Sequence, residues 1–186
     1  MANDTEYNPS SSLRNVSSSI YGGGIRFTFS KEYSLLDGYV AWQPTQNTSQ
    51  FIVIKLNSDF SQSLVSGVVT QGRGINGVNG RSPNYQAYTT KYKVFYSTST
   101  SNTDFTSTYF SNSNFLPVDS GYEFTGNDTN DFADSGNLST SSRNVRKINL
   151  FSTPVNATMI RINPTEGSNE NLGSTLGFRV GLMVRD

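Results

Sequence analysis

The chain has 186 residues, 14 basic against 14 acidic, and contains neither cysteine nor histidine. That length suits one domain with a sizeable core, and the balanced charge excludes the global field that draws a protein to nucleic acid or an anionic membrane. The two missing residue types exclude disulfides, thiolate metal sites and every nucleophile or base built on Cys or His.

Only 15% of residues are charged, so Ser, Thr, Asn and Gly carry the polarity beside ten Tyr and twelve Phe. This is the composition of an all-β protein whose surface is made of hydroxyls and amides. Met1 to Ser12 is polar and reads as an extended arm of the kind that orders against a partner. The expected division is an arm over 1–15 and a β-sandwich over 16–186. After the triple glycine Gly22–Gly24, Ile25–Ser30 alternates apolar and polar as a half-buried strand does. Asp37-Gly38 signals a turn, and the only tryptophan, Trp42, follows it. Phe51–Leu56 is nearly continuous in apolar residues, which predicts a strand covered on both faces. Gly67–Gln71 and Thr89–Ser97 read as strands flanking a glycine-rich loop that carries Arg73, Asn79, Arg81 and Tyr85. In the second of these, Tyr92, Val94 and Tyr96 alternate with Lys91, Lys93 and Phe95.

The stretch from Ser97 to Leu138 is the least regular, with short strands expected around Asp104–Phe110 and Tyr122–Phe124, because a structureless loop of that length is rare within a domain. Val145–Phe151, Thr158–Asn163 and Leu176–Val184 complete the strands, the last with Leu176, Phe178, Val180, Leu182 and Val184 on one face. No segment has helical periodicity, and many short strands punctuated by turns argue for a β-sandwich or barrel. No apolar run is long enough to span a membrane. The N-terminus lacks the basic start and apolar core of a secretory signal.

Several pieces in order carry a resemblance. They are Ser17–Tyr21, Leu36-Asp37-Gly38 with Trp42, Phe51–Leu56, Val69–Arg73, Thr90–Ser97, Phe124–Asp128, Ile160–Pro164 and Leu176–Arg179. Together they resemble the discoidin family, also called the coagulation factor V/VIII C-type domain, over roughly residues 16–184; the brief Asp-Gly-x-x-x-Trp interval is most similar to the slime-mould lectins that named it. The resemblance implies an eight-stranded jelly-roll β-sandwich of the galactose-binding-like type, with ligands held by loops at one end. Those loops correspond here to Tyr21–Leu36, Trp42–Gln50 and Gly72–Tyr88. Family members bind sugars, anionic phospholipid or collagen. The family's bracketing cysteines are absent here. The glutamate that calcium-binding members use in the final strand corresponds to Gly181, which leaves calcium at Asp37 open, and no cofactor is expected.

A sugar site needs a flat apolar face for the C–H side of the ring and planar side chains for its hydroxyls. Tyr85 with Arg81 and Asn79 meets that description at the loop tip. Arg73 has a fork suited to hydroxyls or carboxylates, and an equal claim to tie down its own glycine-rich loop. Arg26 and Trp42 complete the candidate ligand contacts, although a lone tryptophan after such a turn more often packs in the core. Asp128, Asp131 and Asp134 recur every third residue but lack the ligand pattern of a known calcium loop. The Asn-x-Ser/Thr triplets at Asn3, Asn15, Asn47, Asn127, Asn137 and Asn156 occur at the rate this composition produces by chance. Paired carboxylates or a Ser/Lys arrangement at catalytic spacing are missing, so a non-enzymatic binding protein is expected.

Two functional classes follow. One is a lectin-like adhesion module that grips a glycan or cell surface and works outside the cell. The other is a virion protein, a phage capsid decoration or tail component that assembles through its arm and loops as an oligomer. Phosphatidylserine binding ranks third, because the loop tips carry Gly, Asn and Ser and there is no net positive field.

Overall fold

Strand periodicity decides the architecture, since alternate side chains of a strand face opposite sides of its sheet. The computed structural model describes residues 4–7, 20–22, 36, 41–42, 51–56, 61–72, 88–100, 114–128, 145–167, 177 and 179–185. The described strands are β1 (Asp4–Tyr7), β2 (Ile20–Gly22), β3 (Ile52–Lys55), β4 (Ser63–Gln71), β5 (Thr89–Ser97), β6 (Leu116–Pro117), β7 (Glu123–Thr125), β8 (Lys147–Ala157), β9 (Met159–Gly167) and β10 (Arg179–Arg185). They form two antiparallel sheets, one ordered β1-β10-β4-β8 and the other β2-β3-β9-β5-β6, with β7 also pairing β5.

The sequence leads one to expect an eight-stranded sandwich, and the ten described strands contain it. β6 and β7 lie along the same edge of β5, opposite Phe95–Tyr96 and Lys91–Lys93 respectively, so they are one strand interrupted by a bulge. β1 is the other addition. Asp4–Tyr7 pairs with Leu182–Arg185, so this part of the polar arm joins a sheet of its own chain as an edge strand.

The core lies between the sheets, and the register shows why. Ile52 stands opposite Ile162, which stands opposite Val94, while Ile54, Ile160 and Tyr96 make the next inward rung. From the facing sheet, Val68 pairs with Leu182, and Val65 and Val180 also point inward. Trp42, Tyr92, Phe124 and Phe151 fill the space between. The alternation read in β5 holds: Tyr92 and Val94 are wholly buried while Lys91 is exposed. Each buried aliphatic or aromatic side chain contributes about 1.5–3 kcal/mol relative to exposure, so these rungs are the main source of stability.

Two strands run further than the sequence reading placed them, each past a proline. β8 passes Pro154 because it is an edge strand with an irregular register. Val65 faces Val155 and Gly67 faces Leu150, so Phe151–Pro154 bulge away from the ladder, where a missing N–H costs little. β9 passes Pro164 because its pairing with β3 has already stopped at Ile52–Ile162. β4 begins earlier, at Ser63, and continues through Gly67. At Gly67 a Cβ would lie 2.5 Å from the Asn149 carbonyl oxygen, so the two strands approach too closely for any side chain. The expected strands at Ile25–Ser30 and Asp104–Phe110 lie outside the described residues.

The bulge between β6 and β7 is a left-handed turn. Asp119, Ser120 and Gly121 have φ of 45°, 58° and 83°, a run that costs roughly 1–2 kcal/mol at each non-glycine residue. Asp119 offsets the strain by reaching across to the opposite sheet. Its carboxylate accepts from the Ser152 backbone N–H at 2.9 Å and also from the Ser152 hydroxyl. Nearby, the Asn149 amide donates to the Tyr92 hydroxyl at 2.9 Å and to the Thr125 carbonyl at 2.8 Å. Two bulged edges are thus stitched into one seam, which occupies edge groups that would otherwise template a further strand.

Candidate functional site: the loop end of the sandwich

Strand direction gathers the loops at one end. The rungs Gly22–Ile52, Gln71–Arg179, Thr70–Lys147, Thr89–Gly167 and Lys91–Thr125 lie at or near this end of their sheets. The chain therefore leaves here after Gly22, Gly72, Asp128 and Gly167 and returns at Phe51, Tyr88, Val145 and Gly177. All three loops implied by the family resemblance start or finish at this end.

The feet of these loops are tied to one another by groups that belong to no strand ladder. Arg179, the first residue of β10, is wholly buried and donates through Nε to the Gly72 carbonyl at 2.6 Å. The Thr89 hydroxyl donates to the Gly177 carbonyl at 3.5 Å, a long bond. Gly126 donates its N–H to the Thr90 carbonyl at 2.7 Å, and a Cβ there would lie 2.1 Å from the Thr89 carbonyl oxygen. Asn127 is buried; its carbonyl oxygen accepts from the Thr70 hydroxyl at 3.4 Å, and its amide donates to the Val145 carbonyl at 3.2 Å. That burial also takes the Asn127 triplet out of consideration as a glycosylation acceptor.

A second arginine braces the foot before β3. Arg161 lies on the outer face of its sheet, where its guanidinium carbon is 5.0 Å from the ring centre of Phe51, 4.9 Å from Phe95 and 5.5 Å from Phe115. Its Nε donates to Asn163 Oδ1 at 2.8 Å. Burial lowers its pKa from the usual guanidinium range, and the ring faces supply the favourable field that water would otherwise provide. Phe95, which the alternation places on the outward face, is thereby covered. On the same strands Lys91 and Glu166 pair at 2.6 Å with both side chains half exposed. The bond to Glu166, and then its charge, raise the Lys91 pKa; so exposed a pair adds little stability.

Of the candidate contacts, the structure describes only Trp42. Its ring is 0% exposed and belongs to the central core, so it offers no face for stacking on a ligand and the packing reading accounts for its position. Its Nε1 has no hydrogen-bond partner among the described residues. Arg26, Arg73, Asn79, Arg81 and Tyr85 lie outside the described residues. Asp37, Asp131 and Asp134 lie outside them as well, and among the described residues no three acidic side chains are clustered to hold a metal. Nor is any helix among the described residues long and apolar enough to cross a membrane.

The residues that sequence reasoning missed are Arg179, Gly126 and Asn127. Each sits inside a quoted motif, Leu176–Arg179 or Phe124–Asp128, yet its partner is far away in the chain, so spacing gave no sign of its role.

No family model matches the sequence, and no curated protein matches it. Solved structures do. Discoidin II from Dictyostelium discoideum superposes with a TM-score of 0.56 at 20% identity, covering 99% of this chain and 59% of that one. The chain therefore spans about three-fifths of the discoidin II structure. The family 32 carbohydrate-binding module of Clostridium perfringens NanJ, solved with galactose, gives 0.56 at 15% identity, with 97% and 99% coverage. The paired family 32 modules of C. perfringens ZmpB, solved with GalNAc, give 0.54 at 12% identity, covering 97% of this chain and 36% of that one. The chain has the discoidin-like, galactose-binding-like β-sandwich fold.

Proposed function

We propose that this protein is a non-enzymatic carbohydrate-binding module that recognises a glycan through the loops at the tied end of its sandwich. The observation that carries the reading is the convergence of strand ends there, held by Arg179, Thr89, Gly126 and Asn127. A rigid scaffold that projects loops from one end is the usual arrangement of a binding surface. Similarity of fold to a discoidin and to modules solved with galactose and GalNAc supports the sugar as ligand class. In this reading Tyr85 supplies the stacking face, and Arg81, Asn79, Arg73 and Arg26 supply the planar donors. Recognition takes place outside the cell, where such a module works as an adhesive surface.

The test is a glycan array followed by calorimetry with galactose and GalNAc, each with and without calcium. Saturable binding is expected, with Tyr85→Ala and Arg81→Ala each weakening it at least tenfold, the loss of one stacking face or one charged donor. A wild-type protein that binds nothing on the array under either condition would sink the proposal.

A further inference from the structure

We propose that Arg179 is the positioning residue of the glycine-rich loop, and that the segment Gly177–Arg179 clamps both feet of that loop at once. The inference rests on the reading of the loop as the glycan contact for its consequence, but not for its geometry. Gln71 and Arg179 form the last rung between β4 and β10. Gly72 lies one residue beyond that rung, past the end of β4. There the Arg179 Nε takes the Gly72 carbonyl at 2.6 Å, a charge-assisted bond made away from solvent by a side chain with no exposed surface. On the other side of the loop, Tyr88 is buried and Thr89 donates to Gly177, two residues before Arg179.

One short segment of the last strand therefore fixes where positions 73–87 depart and where they return. A buried guanidinium is expensive to keep unless its bonds are all useful, and pinning both feet of a long glycine-rich loop lowers the ordering entropy that ligand binding must otherwise overcome. The tie on Gly72 comes from an arginine 107 positions away in the chain.

The test compares Arg179→Met, Arg179→Lys and Thr89→Val with wild type, using Asp119→Ala as a control that weakens the fold at the seam. Two readings are taken where Trp42 fluorescence reports a native core: the rate of tryptic cleavage after Arg73 and Arg81, and the Kd for galactose. Arg179→Met should raise cleavage at least tenfold and weaken galactose binding at least fivefold. Arg179→Lys should recover part of both, and Thr89→Val should shift both by a smaller factor. Asp119→Ala should lower the Tm while leaving both readings within twofold.

Cleavage of Arg179→Met at the wild-type rate overturns the proposal. So does an equal increase in Asp119→Ala at matched Tm loss, since loop exposure would then follow stability alone. If Arg179→Met does not fold, Thr89→Val decides, and unchanged cleavage there overturns it. If wild type binds no sugar, the carbohydrate reading falls while the cleavage arm still decides whether Arg179 holds the loop.

Discussion

Replacing Gly126 with alanine is the sharpest stability test of the tied end. The new Cβ would lie 2.1 Å from the Thr89 carbonyl oxygen, 3.0 Å from the Thr89 carbonyl carbon and 3.4 Å from the Thr90 carbonyl carbon. All three are backbone atoms of β5, so no side chain can swing aside. Relief requires the end of β7 to back away by roughly 1 Å, which stretches the 2.7 Å bond from Gly126 N–H to the Thr90 carbonyl beyond useful length. Overpacking of this kind costs about 1–3 kcal/mol, and a buried N–H left without its acceptor costs about 1–3 kcal/mol more. The expected loss is about 2–6 kcal/mol, a large share of the roughly 5–15 kcal/mol that holds a domain folded. Urea unfolding followed by Trp42 fluorescence is a clean assay, because the single tryptophan is fully buried. With a urea dependence of about 2 kcal/mol per molar, the midpoint should fall by about 1–3 M. A midpoint within about 0.3 M of wild type, at the precision typical of such curves, would show that β5 and β7 are not held this closely and would refute the reasoning.

At the seam, Asp119→Ala should cost about 1–3 kcal/mol by urea unfolding, since the Ser152 N–H loses a charged acceptor, and Ser152→Ala, which keeps the backbone bond, should cost less. At high pH, Tyr92 is the group to follow. Burial drives its pKa above the usual tyrosine value, only partly offset by the Asn149 hydrogen bond. A raised folded pKa means that its contribution to stability is complete below about pH 10 and is lost as the pH rises above that value. Phenolate absorbance should therefore show one tyrosine ionising only together with alkaline unfolding, and Tyr92→Phe should remove that coupling.

Much of the fold could be read from the sequence because its strands obey a period of two. The alternation Tyr92, Val94, Tyr96 and the apolar run Phe51–Leu56 were visible as a half-buried and a doubly covered strand, and both occupy those places. What escaped was set by partners distant in the chain. β8 continues past Phe151 and Pro154, and only the bulge beside β4 explains how the proline is tolerated. Asp119 looks like an ordinary turn residue until Ser152 is seen across the seam. Spacing does not match Arg161 with Phe51, Phe95 and Phe115, nor does it show that Trp42 is buried. The candidate site was legible in part. Its scaffold is in place, while the proposed sugar contacts fall on positions 26, 73, 79, 81 and 85, beyond the described residues.

One consequence of the β1–β10 pairing concerns how such a unit can be mounted. Asp4 stands opposite Arg185, and antiparallel partners lie only about 5 Å apart. Their rung continues through Arg185 to Leu64, at the pole of the sandwich away from the Gln71–Arg179 rung. Adjacent ends at the far pole are what domain insertion tolerates best. A longer polypeptide could accept the sandwich as a side branch, or string several copies in a row, with the Gln71–Arg179 end of every copy facing away from the tether.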